Sequence, residues 1–335
     1  MTTALVLGKF LPPHAGHAFL VETARRYADE VIVLALARPD EPIPVTVRHA
    51  WLEELFPWAT VRSGTATHPI DYSDPAVYDL WAATIKRVIG LDHVDVLLTS
   101  EPAYGDMTAE RIGARHVLVD PGRQTVPISA SAIRADPFAS WQYLAPCVRA
   151  WYVKRVRLLG AESTGTTTMA ERLAELYDTV WAPEYGRDYS IPKDLRGDTW
   201  TTEDFVHIAR RQQELEDNAA RQADRILFCD TDALATAIWH EQYLGRRSSE
   251  VEAIAALRRY DLTFLTAADF PWVDDGYRNS DEVRQRMQRR FEEELACGQE
   301  PVVELRGSVD ERTTTAVVAI EHILGLRTGA ADRAG

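Results

Sequence analysis

The sequence predicts an α/β protein built from two doubly wound parallel-sheet domains, and three observations carry that expectation. Short apolar runs without a polar alternate residue recur along the chain, as strands buried on both faces read. Helical patterns separate them in β-α-β-α order, and the order restarts near residue 155. The length of 335 residues favours two domains over one.

In the first half, strands are expected over Ala4 to Gly8, Val31 to Ala37, Val94 to Thr99 and His116 to Val119. Helices are expected over His17 to Tyr27, Val47 to Phe56, Pro75 to Ile89 and Met107 to Gly113. The aromatic-rich stretch Ala139 to Lys154 reads as a connecting helix. Beyond it come strands Val156 to Leu159, Thr179 to Ala182, Ile226 to Cys229, Leu262 to Leu265 and Val302 to Leu305, with helices Thr202 to Ala223, Asp281 to Leu295 and Asp310 to Leu324. The expected domains are residues 1–150 and 151–327, with 328–335 a disordered tail.

Hydrophobic residues make up 46%, enough to fill two cores. The balance of 37 basic against 51 acidic residues, −14 in all, repels a polyphosphate backbone and argues against nucleic-acid binding. A small phosphate ligand is still allowed, because a local basic pocket outweighs distant charge. Cys147, Cys229 and Cys297 form no CxxC, which fits a reducing compartment without structural zinc. The apolar runs are too short to span a bilayer, and no basic-then-apolar leader opens the chain. A cytoplasmic protein without a membrane partner is therefore expected; its oligomeric state is left open.

Two segments carry candidate chemistry. The first is Gly8-Lys9-Phe10-Leu11-Pro12-Pro13-His14-Ala15-Gly16-His17, between a buried strand and a helix start. Ligands bind outside the C-terminal ends of strands in such sheets, and helix N-termini offer unpaired N–H groups to anions. Gly8 and Gly16 allow close backbone approach. His14 and His17, three apart, can converge on one phosphate, and Lys9 adds positive charge. Farther on, Ser129 and Ser131 precede Arg134 in Ile128-Ser129-Ala130-Ser131-Ala132-Ile133-Arg134. The hydroxyls read either as helix caps or as phosphate ligands, and Arg134 can fork onto two oxygens.

The second segment is Gly160-Ala161-Glu162-Ser163-Thr164-Gly165-Thr166-Thr167-Thr168, which follows a strand and opens a helix. It meets the P-loop pattern GxxxxGK[ST] except that Thr166 stands at the lysine position. The backbone N–H groups can still cradle phosphates, and Thr167 can hold Mg²⁺ by its hydroxyl. What is lost is the ammonium that follows the β- and γ-phosphates into the transition state. Asp230 or Asp232, at the end of a buried strand, is placed to orient Mg²⁺. His207 and His240 are not spaced as metal ligands and read as structural or exposed.

With these motifs in hand, the chain resembles a known family. GxFxPxHxGH with a later ISxSxxR is the signature pair of the nucleotidyltransferase superfamily. The fuller match of GKFLPPHAGH, TSEPAYG, LVDPGRQTVPISASAIR and ADPFASWQYL resembles NadR-type bifunctional proteins over nearly the whole chain. Those join nicotinamide-mononucleotide adenylyltransferase, on an HxGH Rossmann-like domain, to ribosylnicotinamide kinase, on a P-loop domain. The resemblance implies in-line attack of the mononucleotide phosphate on the α-phosphorus of ATP. His14 and His17 would hold the α- and β-phosphates, Lys9 and Arg134 the leaving pyrophosphate, and Ser129 or Ser131 would add a hydroxyl. Gly8, Phe10 and Gly16 would shape the loop, and Mg²⁺ would screen the triphosphate. Trp81 would stack on the nicotinamide ring or serve as a core residue, and Tyr104 would line the adenine or mononucleotide pocket.

For the second half the resemblance implies that Glu184 accepts the proton of the riboside 5′-hydroxyl and that Arg187 binds phosphate or substrate. The segment Pro271 to Arg278, with Asp275 and Arg278, resembles a kinase lid. Arg278, Arg284 or Arg286 would then replace the missing charge. Because of Thr166, three readings of this half stand: an active ribosylnicotinamide kinase, a nucleotide sensor that transfers nothing, and a phosphotransferase for another small substrate. In the first half, another phosphorylated acceptor or CTP stays open. Some NadR-type proteins also repress genes through an N-terminal helix-turn-helix; a first strand at Ala4 and the charge of −14 argue against that here.

Overall fold

The computed structural model describes residues 1–69, 73–269 and 281–326. The chain forms two compact units, Met1–Trp151 and Tyr152–Gly335. The first contains β1 (Thr3–Gly8), α1 (Ala15–Ala24), β2 (Glu30–Ala37), α2 (Val45–Leu55), β3 (Thr60–Thr65), α3 (Pro75–Ile89), β4 (Val96–Thr99), α4 (Pro102–Ile112), β5 (Arg115–Leu118) and α5 (Ala130–Ala135), and α6 (Pro146–Tyr152) closes it. The strands are parallel in the order β3-β2-β1-β4-β5. Leu5 and Val6 of β1 are fully buried on opposite faces, which is why this strand reads as an unbroken apolar run. Strand order reverses between β1 and β4, so the loops after these strands leave a crevice between them.

The second unit contains β6 (Lys154–Leu159), α7 (Thr166–Leu176), β7 (Trp181–Ala182), α8 (Tyr185–Arg196), α9 (Thr202–Ala220), β8 (Ile226–Asp230), α10 (Ala233–Leu244), α11 (Ser249–Ala255), β9 (Leu262–Thr266), α12 (Asp281–Ala296), β10 (Val302–Leu305) and α13 (Val309–Ile323). Its strands are also parallel, in the order β10-β9-β6-β8-β7. No described helix is long and apolar enough to cross a membrane.

Helix ends follow local chemistry. Asp74 caps α3 through the Ala76 N–H with Pro75 in the first turn, and left-handed Gly90 ends it. Thr201 with Asp204 and Ser308 with Glu311 form reciprocal capping boxes on α9 and α13.

Several expectations are corrected. The connecting helix is not one helix: a single 3₁₀ turn at Trp141–Tyr143 precedes α6, and β6 already begins at Lys154. Pro146 explains the break, since its ring cannot continue a preceding helix. The expected strand from Thr179 shrinks to Trp181–Ala182, because Thr179 turns its hydroxyl onto the Ile226 carbonyl and accepts from the Asp224 N–H. Edge strand β3 has the polar sequence TVRSGT, which hid it from a search for apolar runs. The tail beyond residue 326 lies outside the described residues.

Candidate functional site

The first unit holds a cavity of about 450 Å³. Gly8, Lys9, Phe10, His14, Gly16, His17, Trp81, Tyr104, Ser129, Ser131 and Arg134 all line it, so the two halves of the signature, over a hundred residues apart in sequence, meet at one crevice. His14 sits at the N-cap of α1, where its Nδ1 accepts the Gly16 N–H at 3.1 Å. That bond places the proton of neutral His14 on Nε2, which leaves this nitrogen as the ring's donor. A Cβ on Gly16 would stand 3.0 Å from the His14 ring, so glycine keeps room for the imidazole.

The His14 and His17 rings lie 3.8 Å apart, and Phe10 packs on His17 at 4.8 Å. Burial, with the charge of Arg123 nearby, holds His14 down to about 4. Burial, the neighbouring His14 and Arg123 push His17 well below the ordinary histidine range. Both rings are therefore neutral near pH 7, and positive charge must come from other groups. His17 Nδ1 is buried without a hydrogen-bond partner among the described residues.

Arg134 is set across the crevice by donating to the Leu11 carbonyl at 2.5 Å and to Ser131 Oγ at 3.2 Å. Ser129 caps α5 through the Ala132 N–H, so capping and cavity lining coexist there. Trp81 likewise packs against the core and lines the cavity, held by its Nε1 donating to the Pro69 carbonyl at 3.0 Å. Lys9 differs from expectation: its ammonium pairs with Glu41 at 3.0 Å, and Glu41 also pairs with fully buried Arg48 at 2.9 Å. Lys9 is thus held by a carboxylate it shares with Arg48, and the three groups together keep one net positive charge.

Sequence reasoning missed Arg123, Glu101 and Asp120, which also line the cavity. Their segments, TSEPAYG and LVDPGRQTVPISASAIR, belong to the family match, but nothing in the sequence alone assigns these three residues a role.

In the second unit, the loop after β6 has the backbone a phosphate cradle needs. Ser163 and Gly165 are left-handed, at φ 61° and 87°. Buried Arg312 donates to the Thr164 carbonyl at 2.6 Å and to the Ala267 carbonyl at 3.0 Å, and pairs with Asp269. Thr164 donates to the Ala161 carbonyl at 2.7 Å, while Gln288 accepts the Ala161 N–H. A Cβ on Gly160 would fall 2.3 Å from Thr266 Oγ1, 2.5 Å from Thr164 Oγ1 and 2.9 Å from the Thr266 carbonyl. Gly160→Ala is therefore expected to destabilise the unit by about 1–3 kcal/mol and to abolish its nucleotide binding, as read by thermal melting and calorimetry.

Thr166 opens α7, and exposed Thr168 follows within it. Thr167 Oγ1 donates to Asp230 Oδ2, whereas Asp230 Oδ1 is buried without a partner among the described residues. A hydroxyl beside an unsatisfied carboxylate oxygen suits a hard divalent ion such as Mg²⁺. Among the described residues no three His, Cys, Asp or Glu side chains form a metal cage; Mg²⁺ bound with phosphates needs only one or two protein ligands.

Glu184 stands at the N-cap of α8, its carboxyl pushed up to about 7 by burial and by Asp230 and Glu162, with Arg187 opposing the shift. Arg187, exposed in the first turn of α8, likewise opposes the upward shift of Asp230. Tyr185, which follows Glu184 in sequence, clusters with Tyr189 and His207, its Oη 3.0 Å from His207 Nε2. His240 is structural, fully buried between the Arg246 carbonyl and Thr202.

Asp232 is a correction. One oxygen caps α10 at the Ala235 N–H and the other pairs with buried Arg157, which also reaches Glu300 and Thr263. Both oxygens are engaged and the side chain is buried, which disfavours a metal or substrate role and leaves Asp230 as the candidate. Of the substitute cations, Arg284 is buried 3.7 Å from Asp281 and Arg286 donates to Gln242 at 3.1 Å. Asp275, Arg278 and the rest of the expected lid lie outside the described residues.

Comparison with known proteins covers both units. A family model described as an AAA domain matches residues 155–312. The trifunctional NAD biosynthesis/regulator protein NadR of Escherichia coli (strain K12) is 33% identical over 296 residues, 83% of this chain and 72% of that protein. Its counterpart in Salmonella typhimurium is 32% identical over 293 residues, 82% and 71% respectively. A crystal structure of NadR protein in complex with NR has a TM-score of 0.78 at 21% identity, covering 97% of each chain. Another, in complex with NAD and AMP-PNP, has a TM-score of 0.76 at 20% identity, again covering 97% of each.

Proposed function

Since the chain belongs to the NadR family, we propose that its first unit transfers adenylyl from ATP to nicotinamide mononucleotide and its second phosphorylates ribosylnicotinamide with ATP. The observation that carries the reading is the shared cavity of His14, His17, Ser129, Ser131 and Arg134 at the strand-order reversal.

In the first unit a phosphate oxygen of the mononucleotide attacks the α-phosphorus of ATP. The bond from that phosphorus to the bridging oxygen breaks, and pyrophosphate leaves with the electron pair. No group on the protein becomes covalently bound. His14 and His17, as neutral donors, hold phosphate oxygens, and Arg134 spans two oxygens as negative charge moves to the leaving group. Trp81 offers its indole to the cationic pyridinium ring, and Tyr104 borders the same pocket. Mg²⁺ bound to the triphosphate supplies charge neutralisation.

In the second unit, the Gly160–Thr168 loop cradles the triphosphate by its N–H groups, and Thr167 with Asp230 would hold Mg²⁺. Glu184 takes the proton of the riboside 5′-hydroxyl as that oxygen attacks the γ-phosphorus and ADP leaves. Arg187 is the cation we assign to the transferred phosphoryl group in place of the absent lysine.

Thr166 favours a second reading, in which this unit binds nucleotide without transferring phosphate. Two incubations with Mg-ATP separate the readings. Our reading predicts NAD with pyrophosphate from the mononucleotide, and ADP with mononucleotide from the riboside. It also predicts that Thr166→Lys changes riboside phosphorylation by less than about tenfold, because the charge is already supplied. No ADP from the parent, but ADP from Thr166→Lys, would establish the second reading instead.

A further inference from the structure

Most cations on the wall of the first site are already engaged by other groups. Both imidazoles are neutral, and both substrates are polyanions. Of the cations on the cavity wall, Lys9 is paired with Glu41 and Arg38 lies 3.4 Å from Asp40. Arg134 is fixed by the Leu11 carbonyl and Ser131. Arg123 is different. It pairs with Glu101 at 2.9 Å, both side chains half exposed, and both residues line the cavity.

The backbone that carries Arg123 is tightly tied. Asp120 accepts the Gln124 N–H at 2.8 Å and the Thr125 N–H at 3.0 Å with its carboxylate, and the Arg123 N–H at 2.9 Å with its carbonyl. Both ends of the turn, Asp120 and Arg123, are left-handed, at φ 46° and 49°. Strained non-glycine backbone held by three bonds is a means of aiming one side chain. A half-exposed ion pair contributes little on its own, so a phosphate can displace Glu101 at small cost. The guanidinium already acts on the same two histidines that face the phosphates.

We propose that Arg123 is a phosphate-binding residue of the first site, which leaves Glu101 to grip a nucleotide phosphate beside His14 and His17. This rests on the adenylyltransferase reading of that site. Glu101 serves as the resting counter-ion, and the tied turn fixes where the arginine can reach. The phosphate belongs either to the triphosphate of ATP or to the acceptor, and kinetics distinguish them.

The test compares Arg123→Gln, Arg123→Lys and Glu101→Gln with the parent in NAD formation, using the full chain. Arg123→Gln is expected to lower kcat/KM about 100-fold, with Arg123→Lys recovering part of the loss. Glu101→Gln is expected to lower kcat/KM less than Arg123→Gln does, since a surface pair has little intrinsic worth. A raised KM for ATP identifies the triphosphate as the target, and a raised KM for the mononucleotide identifies the acceptor. The proposal is overturned if Arg123→Gln matches the parent, or if Glu101→Gln loses as much as Arg123→Gln, which would make the pair a structural strut. Should the parent form no NAD, the enzymatic reading fails separately, and calorimetric titration with inorganic pyrophosphate still reads Arg123. The second unit then binds equally in parent and variant, so a tenfold or larger weakening, on the order expected for a charged phosphate contact, supports the proposal, and equal binding contradicts it.

Discussion

His17→Asn is expected to lower kcat/KM for NAD formation by about 100- to 1,000-fold while riboside phosphorylation continues unchanged. His17 is buried against Phe10 and His14. Asparagine retains a polar side chain but cannot reproduce the reach or the plane of the imidazole. Because the ring is neutral near pH 7, its contribution is a directed hydrogen bond rather than a full charge, and its loss is felt mainly where charge develops on the phosphates. The two units have separate cores, so the second activity serves as an internal folding control. Equal loss of both activities would point to unfolding, and loss of neither would remove His17 from the chemistry.

The second large effect concerns Glu184. Glu184→Gln is expected to lower riboside phosphorylation by about 100- to 10,000-fold, the usual weight of a general base. Its folded carboxyl is pushed up to about 7, chiefly by burial. Below that pH it holds a proton and cannot take another from the 5′-hydroxyl; above it, the carboxylate is available. The parent rate should therefore rise as pH increases through about 7, and the residual rate of Glu184→Gln should lack that rise. NAD formation from supplied mononucleotide should not change on this substitution. A pH profile of the same shape in parent and variant would assign the titration to another group.

The fold was legible wherever burial imposed an unmixed apolar pattern. The strands β2, β8 and β9 are buried along most or all of their length and β1 along its centre, and all four stood out as apolar runs. β3 at a sheet edge did not, because its outward residues are polar. Helices α8 and α11 were not read, and α10 was read only as a helical pattern around His240 without bounds. α8 is mostly exposed and contains Pro192, and α10 is apolar on most of its circumference, so neither shows a clear helical stripe.

The candidate sites show the same division. His14, His17 and Arg134 were legible because motif and spacing marked them, and the cavity gathers all three. Partner choice was not legible. That Lys9 pairs with Glu41, and Asp232 with Arg157, depends on contacts between residues 32 and 75 positions apart. Local pattern contains no information about such pairs, and a lysine reads as free until its acid is seen. Arg123 lies in the matched LVDPGRQTVPISASAIR segment without an assigned role, since the left-handed turn that carries it is not visible in sequence.

The most direct measurement follows the α-phosphorus. The protein is incubated with nicotinamide mononucleotide and Mg-ATP labelled at the α-phosphate, and the label is traced. Label is expected in NAD, with one pyrophosphate released per NAD, continued transfer in Glu184→Gln and a collapse of transfer in His17→Asn. Label remaining in ATP, ADP or AMP with no NAD formed, under conditions where the protein is folded and binds ATP, would contradict adenylyl transfer to the mononucleotide.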